Sequence, residues 1–335
     1  MANSLSIVIP NFNGERLIPK FLPGVIAAAR KIPWDWEILV IDDGSTDKSI
    51  EMLESFSDIR VVRRETNGGF SAACNTGLAE AKYEKLFFLN TDVDLPLHFF
   101  DRYSEYFTDP NTFAVTVKGC QYATSKWIDG AKLCDWRRGF LRVTYNYYED
   151  EIKVLSAQNV ETAQHAKGLL PSFSVQGAYF FTTKARMQEL KGFDELFNPY
   201  LFEETDLAYR ALKRGWKIYY DPMAVAYHEL SSTLNSVAKK RKLKMLGTRN
   251  RTFFVIKNIQ DSRYLCSFLF HYGARLLFLN ICYWKAFLEV FERRKELLQK
   301  RNFEKKAVRV RDRELLMKFN VKNWKKCAIQ KGSNG

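Results

Sequence analysis

Short, continuously apolar segments alternate with helical segments through the first ninety residues of the chain. The apolar segments are "LSIVIP", "WEILVID", "IRVV" and "KLFFLN", and helical patterns such as "FSAACNTGLAEA" separate them. Strands that are apolar throughout are buried on both faces, and helical connections between them make neighbouring strands parallel. The pattern therefore predicts an α/β fold with a mostly parallel sheet that is covered by helices.

Each of these predicted strands is followed by a short polar loop. The loops are "PNFNG" at 10–14, "DDGSTD" at 42–47, "ETNGGF" at 65–70 and "NTDVD" at 90–94. Asn, Asp and Gly form ordinary turns, so one such loop carries little information. The carboxyl ends of parallel strands meet at one edge of a sheet, where ligands bind. Four such loops in succession predict a ligand-binding crevice at that edge.

The basic residues of the 335-residue chain are concentrated near its C-terminus. Residues 231–335 contain 26 of the 52 Lys and Arg residues but only 7 of the 38 Asp and Glu residues. The length exceeds that of a typical single domain. We predict a catalytic domain at 1–230, with halves at 1–118 and 119–230, and a basic helical region at 231–335. Such a charge indicates an anionic partner, and because no nucleic-acid recognition motif accompanies it, we expect lipid rather than nucleic acid.

The C-terminal region also contains a long apolar helical pattern, "YLCSFLFHYGARLLFLNICYWKAFLEVFERRKELLQKR". Arg275, Lys285 and Glu289 interrupt it, so no charge-free stretch reaches the roughly 18 residues of a spanning helix. We favour an amphipathic helix on an anionic membrane surface. Packing against the catalytic domain, or against a second subunit in a homodimer, stays open. Six scattered cysteines and an N-terminus without a signal-peptide pattern predict a cytoplasmic protein, peripheral on the inner face of the cell membrane.

Several motifs in a fixed order resemble one enzyme family. "SIVIPNFNG", "LVIDDGSTDKS", "NGGFSAACNTGL", "LFFLNTDVDL", "VQGAYFFTTKARMQELKGFDELF" and "FEETDLAYR" together resemble family 2 inverting glycosyltransferases of the GT-A fold, in particular the bacterial rhamnosyltransferase-like branch. The resemblance implies transfer of a sugar from a dTDP- or UDP-sugar, with dTDP-rhamnose among the candidates. The acceptor would be a hydroxyl of a saccharide or of a lipid-linked acceptor, in the synthesis of cell-surface polysaccharide.

Two aspartates one residue apart end the fourth predicted strand. Mg²⁺ and Mn²⁺ prefer carboxylate and phosphate oxygens, and they often use one or two protein carboxylates together with substrate phosphates. The resemblance makes Asp94 the direct metal ligand and Asp92 its helper, although solvated turn aspartates are the alternative. His228 follows an apolar strand, and it either completes the metal shell or has a structural role.

The earlier loops are expected to hold the nucleotide. Asp43 can accept the N3 proton of uracil or thymine, while Pro10 and Asn11 lie along the base and ribose. Asn67, Gly68 and Gly69 allow a close approach of the backbone. The predicted nucleotide-sugar contacts are Pro10, Asn11, Asn13, Asp42, Asp43, Asn67, Gly68, Gly69, Asn75 and Asp92.

Inverting transfer needs one carboxylate that accepts the proton of the attacking hydroxyl. Family 2 enzymes carry a Glu-Asp pair at the position of "FEETDLAYR", and this chain has Glu203 and Glu204, so Glu204 is the predicted base. Acids in a first helical turn also complement the helix dipole, which is the alternative. The predicted acceptor contacts are Gly177, Ala178, Glu203 and Trp136. The neighbouring aromatics Tyr145, Tyr147 and Tyr148 suit either an acceptor flap or the core.

Two other classes of function compete with glycosyl transfer. A non-catalytic, membrane-attached scaffold would retain the nucleotide-sugar fold without turnover. A sugar nucleotidyltransferase would need a glycine-rich, basic phosphate loop after the first strand, and "PNFNGER" does not provide one. A two-carboxylate glycoside hydrolase is disfavoured, since hydrolysis does not need a nucleotide-binding edge.

Overall fold

The computed structural model of the protein describes residues 3–144, 169–229 and 237–323. Its strands are β1 (Leu5–Asn11), β2 (Trp36–Asp42), β3 (Ile59–Arg63), β4 (Lys85–Leu89), β5 (Val93–Asp94), β6 (Thr112–Gln121), β7 (Trp127–Asp129), β8 (Leu133–Arg137), β9 (Phe140–Thr144), β10 (Leu170–Pro171), β11 (Tyr179–Thr183) and β12 (Lys217–His228). Its helices are α1 (Ile18–Ala29), α2 (Ser49–Glu54), α3 (Phe70–Glu80), α4 (Lys184–Glu189), α5 (Glu203–Lys213), α6 (Val237–Asn258), α7 (Ser262–Leu277), α8 (Ile281–Glu292), α9 (Arg294–Lys306) and α10 (Asp312–Lys318).

The central sheet has the order β10-β12-β6-β11-β4-β1-β2-β3. Strands β1, β2, β3 and β4 are mutually parallel where they pair, and β12 runs parallel to β6. Strand β11 runs antiparallel to both β4 and β6, and β8 and β9 form a separate hairpin. The predicted mostly parallel sheet is confirmed, and the antiparallel β11 joins its two parallel parts.

The central strands bury side chains on both faces, as their apolar sequences predict. Phe87 and Phe88 on β4 point to opposite faces, because successive residues of a strand alternate. Phe87 stacks on Phe181 at 4.2 Å between ring centroids, and Phe88 stacks on Phe180 at 5.2 Å. Two hydrophobic clusters therefore lie on the two sides of the sheet, one against α1 and the other against α3, α5 and α6.

Part of the C-terminal region belongs to the same core as the sheet. Phe253, Phe254 and Val255 of α6 are fully buried in the cluster that contains α3 and α5. Lys257, also buried, lies 2.7 Å from Asp206 of α5 and contacts Asp194. Helix α6 is therefore part of the same folded core as the sheet.

Helices α7 and α8 expose apolar side chains instead. Leu277 is 84% exposed, Phe278 86% and Leu279 78%, where the chain passes from α7 to α8. Within the described ranges no single helix is long and apolar enough to cross a membrane. Helices α7 and α8 pass that length and composition test only as a pair, and they are bent by 119° relative to each other.

Candidate active site

The loops that follow β1 and β2 are joined by a buried hydrogen-bond network. The parallel register places Asn11 beside Asp42. Nδ2 of Asn11 donates to Oδ1 of Asp42 at 2.9 Å, and Asp42 also accepts hydrogen bonds from the backbone N and the Oγ of Ser45 at 3.0 and 2.5 Å. Asn11 and Asp42 are both almost fully buried. Their polar groups are used to shape the loops.

Asn13 and Asn67 stabilise the same loops from the outside. Oδ1 of Asn13 accepts from the backbone N of Thr46 at 2.8 Å, and its backbone N donates to Ser45 at 2.9 Å. Oδ1 of Asn67 accepts from the backbone N of Gly69 at 3.0 Å. The predicted contacts of both asparagines with a nucleotide stay predictions, and the observed contacts are internal.

Asp43 ties the second loop to the third. Its Oδ1 accepts from Nη1 of Arg64 at 2.7 Å and from the backbone N of Gly68 at 3.0 Å, and its Oδ2 accepts from the backbone N of Gly69 at 2.8 Å. Gly69 has a positive φ of 86°, and a Cβ on Gly68 would lie 2.6 Å from the Arg64 guanidinium. The glycines are therefore required for this arrangement, which places Arg64 at the edge of the sheet.

The loop after β4 brings Asp92 to His228. Oδ1 of Asp92 lies 3.2 Å from Nε2 of His228, which ends β12. Thr91 Oγ1 donates to the carbonyl oxygen of Pro10 at 3.2 Å, so this loop also joins the first one. Asp94 lies on β5 opposite Tyr227 of β12, and its carboxylate faces α1 so closely that a Cβ on Gly24 would collide with it. Burial raises the pKa of Asp94.

His228 has two different nitrogen environments. Nε2 faces Asp92, whereas Nδ1 is buried and has no hydrogen-bond partner among the described residues. Burial alone would lower the pKa of His228, but Asp92 and the charge of Asp129 outweigh it, and the pKa is raised. The imidazole of His228 therefore lies near negatively charged side chains at the end of the sheet.

The donor groups at this edge suit a hard divalent cation in type. In the part of the chain that the structure describes, no group of three or more His, Cys, Asp or Glu side chains lies close enough to hold a metal ion by itself. Mg²⁺ needs only one or two protein carboxylates when substrate phosphates supply the other ligands. The Asp92–His228 pair, with the unpartnered Nδ1 and with Asp94 two residues further on, fits that incomplete kind of site.

Glu203 and Glu204 begin helix α5 at the same edge. The two residues before them, Leu201 and Phe202, have φ values of 79° and 78°, which are unusual for residues with a side chain. Cβ of Glu204 lies 3.7 Å from the position that a Cβ on Gly177 would take. Oε2 of Glu203 is buried without a hydrogen-bond partner among the described residues. Strained backbone and an unsatisfied carboxylate together are typical of a functional site.

The two glutamates have different proton affinities. Burial and the adjacent Glu204 raise the pKa of Glu203 well above its usual range. Burial also raises the pKa of Glu204, while Lys132 opposes the rise. Because the two carboxylates interact, they titrate as a pair, and burial makes a double negative charge on the pair unfavourable.

Electrostatic interactions connect the predicted site residues across the edge. Both Glu203 and Asp43 raise the pKa of the Cys74 thiol, after the larger effect of its burial, so both carboxylates lie near this helix α3 residue. On the other side Asp129 acts on both Glu204 and His228. The loops that carry positions 43, 92, 203, 204 and 228 therefore border one region of the molecule.

Two charged residues of this region, Asp129 and Lys132, were not identified from the sequence. Asp129 accepts hydrogen bonds from Nζ of Lys132 at 2.8 Å and from the hydroxyl of Tyr179 at 3.3 Å. They belong to "WIDGAK", whose Asp-Gly turn resembles the turns after β1 to β4 but does not follow a strongly apolar strand. The strand signal was missing, and β7 is only three residues long.

Asn250 and Arg249 of α6 hold the segment that leads to Glu203. Nδ2 of Asn250 lies within hydrogen-bonding distance of the carbonyl oxygens of Phe197, Tyr200 and Leu201, at 3.0, 3.1 and 2.6 Å. Arg249 donates to the carbonyl oxygen of Asn198. Helix α6, which begins the predicted basic C-terminal region, therefore also fixes the entrance to α5.

Other predicted contacts are engaged elsewhere or lie outside the described residues. The side chain of Asn75 exchanges hydrogen bonds with the backbone of Phe193 at 2.9 and 2.8 Å. Trp136 packs on Tyr264 with ring centroids 4.9 Å apart and donates to Ser267 at 3.3 Å. Ala178 is buried, and its carbonyl oxygen accepts from the backbone N of Asn90 at 2.8 Å. Tyr145, Tyr147 and Tyr148 lie outside the described residues.

Residues 6–159 match a protein-family model described as glycosyl transferase family 2. A curated relative, the undecaprenyl-phosphate 4-deoxy-4-formamido-L-arabinose transferase of Pectobacterium atrosepticum, is 34% identical over 120 residues. That match covers 34% of this chain and 37% of the relative, so the similarity spans little more than a third of the relative's length.

Solved structures of low sequence identity share the fold. The structure of GalNAc-T7 with UDP, GalNAc and Mn²⁺ superposes with a TM-score of 0.60 at 17% identity, covering 80% of this chain and 50% of that one. The mannosyltransferase PcManGT from Pyrobaculum calidifontis, in complex with GDP-Man and Mn²⁺, superposes with a TM-score of 0.52 at 13% identity. The superposition covers 90% of this chain and 85% of the mannosyltransferase chain. These matches confirm the predicted fold class.

Proposed function

Because the chain belongs to glycosyltransferase family 2 and has the GT-A fold, we propose that it transfers a sugar from a nucleoside diphosphate donor to an acceptor hydroxyl with inversion. The observation that carries the proposal is the Glu203–Glu204 pair. It is partly withdrawn from water, begins α5 after two residues of positive φ, and borders the same edge as Asp43, Asp92 and His228.

Glu204 is the proposed general base. The acceptor oxygen forms the new bond to the anomeric carbon on the face opposite the nucleoside diphosphate, which leaves with the electron pair of the broken bond. Glu204 takes the proton of that hydroxyl. Its raised pKa strengthens it as a base near neutral pH, and the raised pKa of the buried Glu203 disfavours a second negative charge beside it.

Asp94, Asp92 and His228 are the proposed holders of Mg²⁺ or Mn²⁺. A cation bound there would supply neutralising charge for the diphosphate of the donor. The support is geometric: Asp92 and His228 lie 3.2 Å apart at the end of the sheet, and Nδ1 of His228 has no hydrogen-bond partner among the described residues.

The donor is proposed to be a dTDP- or UDP-sugar, with dTDP-rhamnose among the candidates from the sequence resemblance. Asp43 has one acceptor position left after its three hydrogen bonds, since a carboxylate offers about four. The adjacent Arg64 guanidinium, 23% exposed, offers donors to a base carbonyl or to a phosphate. The pair supplies the donor and acceptor groups that a pyrimidine edge requires.

We assign the acceptor to the lipid-linked class and propose a peripheral position on a membrane. The support is the exposed apolar face of α7 and α8, formed by Leu269, Phe270, Leu277, Phe278, Leu279, Ile281, Leu288 and Phe291. Lys285 lies on α8, and Arg294 and Lys295 begin the next helix, α9; this combination of apolar and basic residues suits an anionic bilayer surface. A second copy of the chain is the competing occupant.

The test is a panel of nucleotide sugars assayed with Mn²⁺ and with EDTA. We expect one donor to raise the melting temperature and to support transfer or slow hydrolysis when Mn²⁺ is present. Glu204→Gln should retain donor binding and lose at least about 10³-fold in transfer rate. Asp94→Ala should lose the Mn²⁺-dependent stabilisation by the donor.

The matched control is Glu314→Gln, which makes the same change at an exposed position of α10 and should transfer normally. Full transfer by Glu204→Gln would remove that residue from the mechanism. Donor binding without turnover by the unmodified protein on any acceptor would favour the scaffold, and release of pyrophosphate from a nucleoside triphosphate would favour the nucleotidyltransferase.

A further inference from the structure

Two exposed arginines lie beside the entrance to α5. Arg251 on α6 and Arg142 on β9 make no hydrogen bond or ion pair with any residue in the described ranges, although β9 packs on α6. Asp135 faces Arg142 in the register of the β8–β9 hairpin, yet it makes no ion pair with it. Both guanidinium groups are therefore available to a ligand.

Neighbouring arginines on α6 to α8 show how such charges are otherwise used. Arg249 lies 3.4 Å from Glu289, and Arg293 lies 2.8 Å from Glu296. Arg275 donates to the carbonyl oxygens of Arg138 and His271 at 3.2 and 2.8 Å. Arg142 and Arg251 are exposed instead, and their guanidinium groups have no such partner among the described residues.

Arg251 lies between the proposed base and the apolar face. Its guanidinium carbon is 5.8 Å from the ring centroid of Phe202, which directly precedes Glu203. Helix α8, which carries Tyr283 and borders the exposed apolar side chains, packs against α6, which carries Arg251. Arg251 is thus close both to the segment that precedes Glu203 and to the helix pair with the apolar face.

The electrostatics of this position favour an anion. Partial burial lowers the pKa of Arg251, and the positive charge of Arg142 lowers it further against the opposing effect of Tyr283. Two adjacent cations without counter-charge repel each other, and a bound anion relieves that repulsion. Guanidinium groups bind phosphate oxygens in bidentate geometry, which makes phosphate the best matched anion.

We propose that Arg142 and Arg251 bind the phosphate or diphosphate of a lipid-linked acceptor, with its hydrocarbon on the α7–α8 face and its sugar hydroxyl directed to Glu204. This inference rests on the proposed glycosyl transfer and names the subsite for its acceptor. The protein offers a surface for each of the three parts of such a molecule: the exposed α7–α8 face for the apolar chain, the two arginines for the anionic linkage, and Glu204 for the hydroxyl.

The experiment measures binding to vesicles of three compositions. The vesicles contain phosphatidylcholine alone, phosphatidylcholine with a small fraction of a long-chain polyprenyl phosphate, or the same fraction of phosphatidylglycerol. We expect the unmodified protein to bind the polyprenyl phosphate vesicles at least about tenfold more tightly than the phosphatidylglycerol vesicles. The double variant Arg142→Gln, Arg251→Gln should bind both anionic vesicles equally, and Arg313→Gln, at an exposed position of α10, should behave like the unmodified protein.

Two further measurements separate the sources of phosphate and the two proposals. Inorganic pyrophosphate in solution should bind at least about tenfold more weakly than the lipid form, because it lacks the apolar chain. Equal binding of free pyrophosphate, or unchanged discrimination between vesicles by the double variant, would overturn the assignment. The nucleotide sugar should stabilise the double variant and the unmodified protein equally. If it does not stabilise the unmodified protein, that result counts against glycosyl transfer itself.

Discussion

The donor side and the acceptor side of the proposed site are built differently. On the donor side, Asn11, Asp42 and Asp43 are almost fully buried. Their polar atoms form hydrogen bonds mainly with residues of the neighbouring loops at the same edge. On the acceptor side, Oε2 of Glu203 and the guanidinium groups of Arg142 and Arg251 have no partner among the described residues. Most side-chain polar atoms of these donor loops are hydrogen-bonded within the loops, although Oδ1 of Asn11 is buried without a partner, whereas the acceptor-side groups named here make no hydrogen bond or ion pair with the described residues.

This difference separates residues that shape a site from residues that are free to act in it. A buried polar group without a partner, such as Oε2 of Glu203, costs free energy and is typical of a site where a ligand or a reaction uses it, whereas Arg142 and Arg251 are exposed and are hydrated in the free protein. Substitutions in the donor loops are therefore expected to lower the free energy of unfolding, and substitutions on the acceptor side are expected to lower mainly the transfer activity. Each of the following substitutions tests that separation.

Asp43→Asn should have the largest effect on stability. It removes the charge that accepts from Arg64, Gly68 and Gly69, and we expect a loss of about 3 kcal/mol in the free energy of unfolding. Arg251→Gln should change the free energy of unfolding by less than about 0.5 kcal/mol, because the guanidinium has no partner to lose. Urea unfolding measures both, and equal losses in the two variants would contradict the comparison.

Asn250→Ala should have an intermediate effect that reaches the acceptor side. The carbonyl oxygens of Phe197, Tyr200 and Leu201 would lose their shared donor, and we expect a loss of about 2 kcal/mol in the free energy of unfolding. Because this segment leads to Glu203, kcat should fall while the KM for the donor stays unchanged. Gln299→Ala, on the exposed side of α9, is the control. An unchanged kcat in Asn250→Ala would show that α6 does not position the base.

Asp47→Asn should have the smallest effect, and that effect should depend on pH. Burial alone would raise the pKa of Asp47, but hydrogen bonds from Ser49 and Glu15 outweigh it and lower the pKa. A lowered pKa stabilises the fold above the unfolded value of about 3.9, and this contribution is lost as the pH falls through the folded value. The variant should therefore be about 1 kcal/mol less stable at neutral pH, and the difference should shrink below about pH 4.

Asp101→Asn, at an exposed position, serves as the reference for that measurement. Its stability difference from the unmodified protein should stay near zero over the same range of pH. A difference for Asp47→Asn that stays constant from neutral to acidic pH would contradict the assigned role of its ionised hydrogen bonds.

Much of the donor side could be predicted from the sequence because it is local. The apolar strands β1, β2, β3 and β4 are recognisable from composition, and parallel pairing then places their following loops at one edge. The register that joins Asn11 to Asp42 follows from the same pattern. The resemblance added the base candidate Glu204, which the structure places beside Gly177. The specific metal, donor and acceptor contacts stay predictions, as does the division of the chain near residue 230.

The amino-acid sequence by itself determined the α/β class, the polar edge and the two glutamates at the start of α5, since each depends on residues close together in the chain. Only the tertiary structure decided which polar groups are used internally, because hydrogen-bond partners such as Asn75 and Phe193, or Asn250 and Leu201, lie far apart in sequence. The same holds for Arg142 and Arg251, whose proximity arises from packing of a hairpin on a helix. Periodicity reports which face of an element is buried, and it does not report what covers that face.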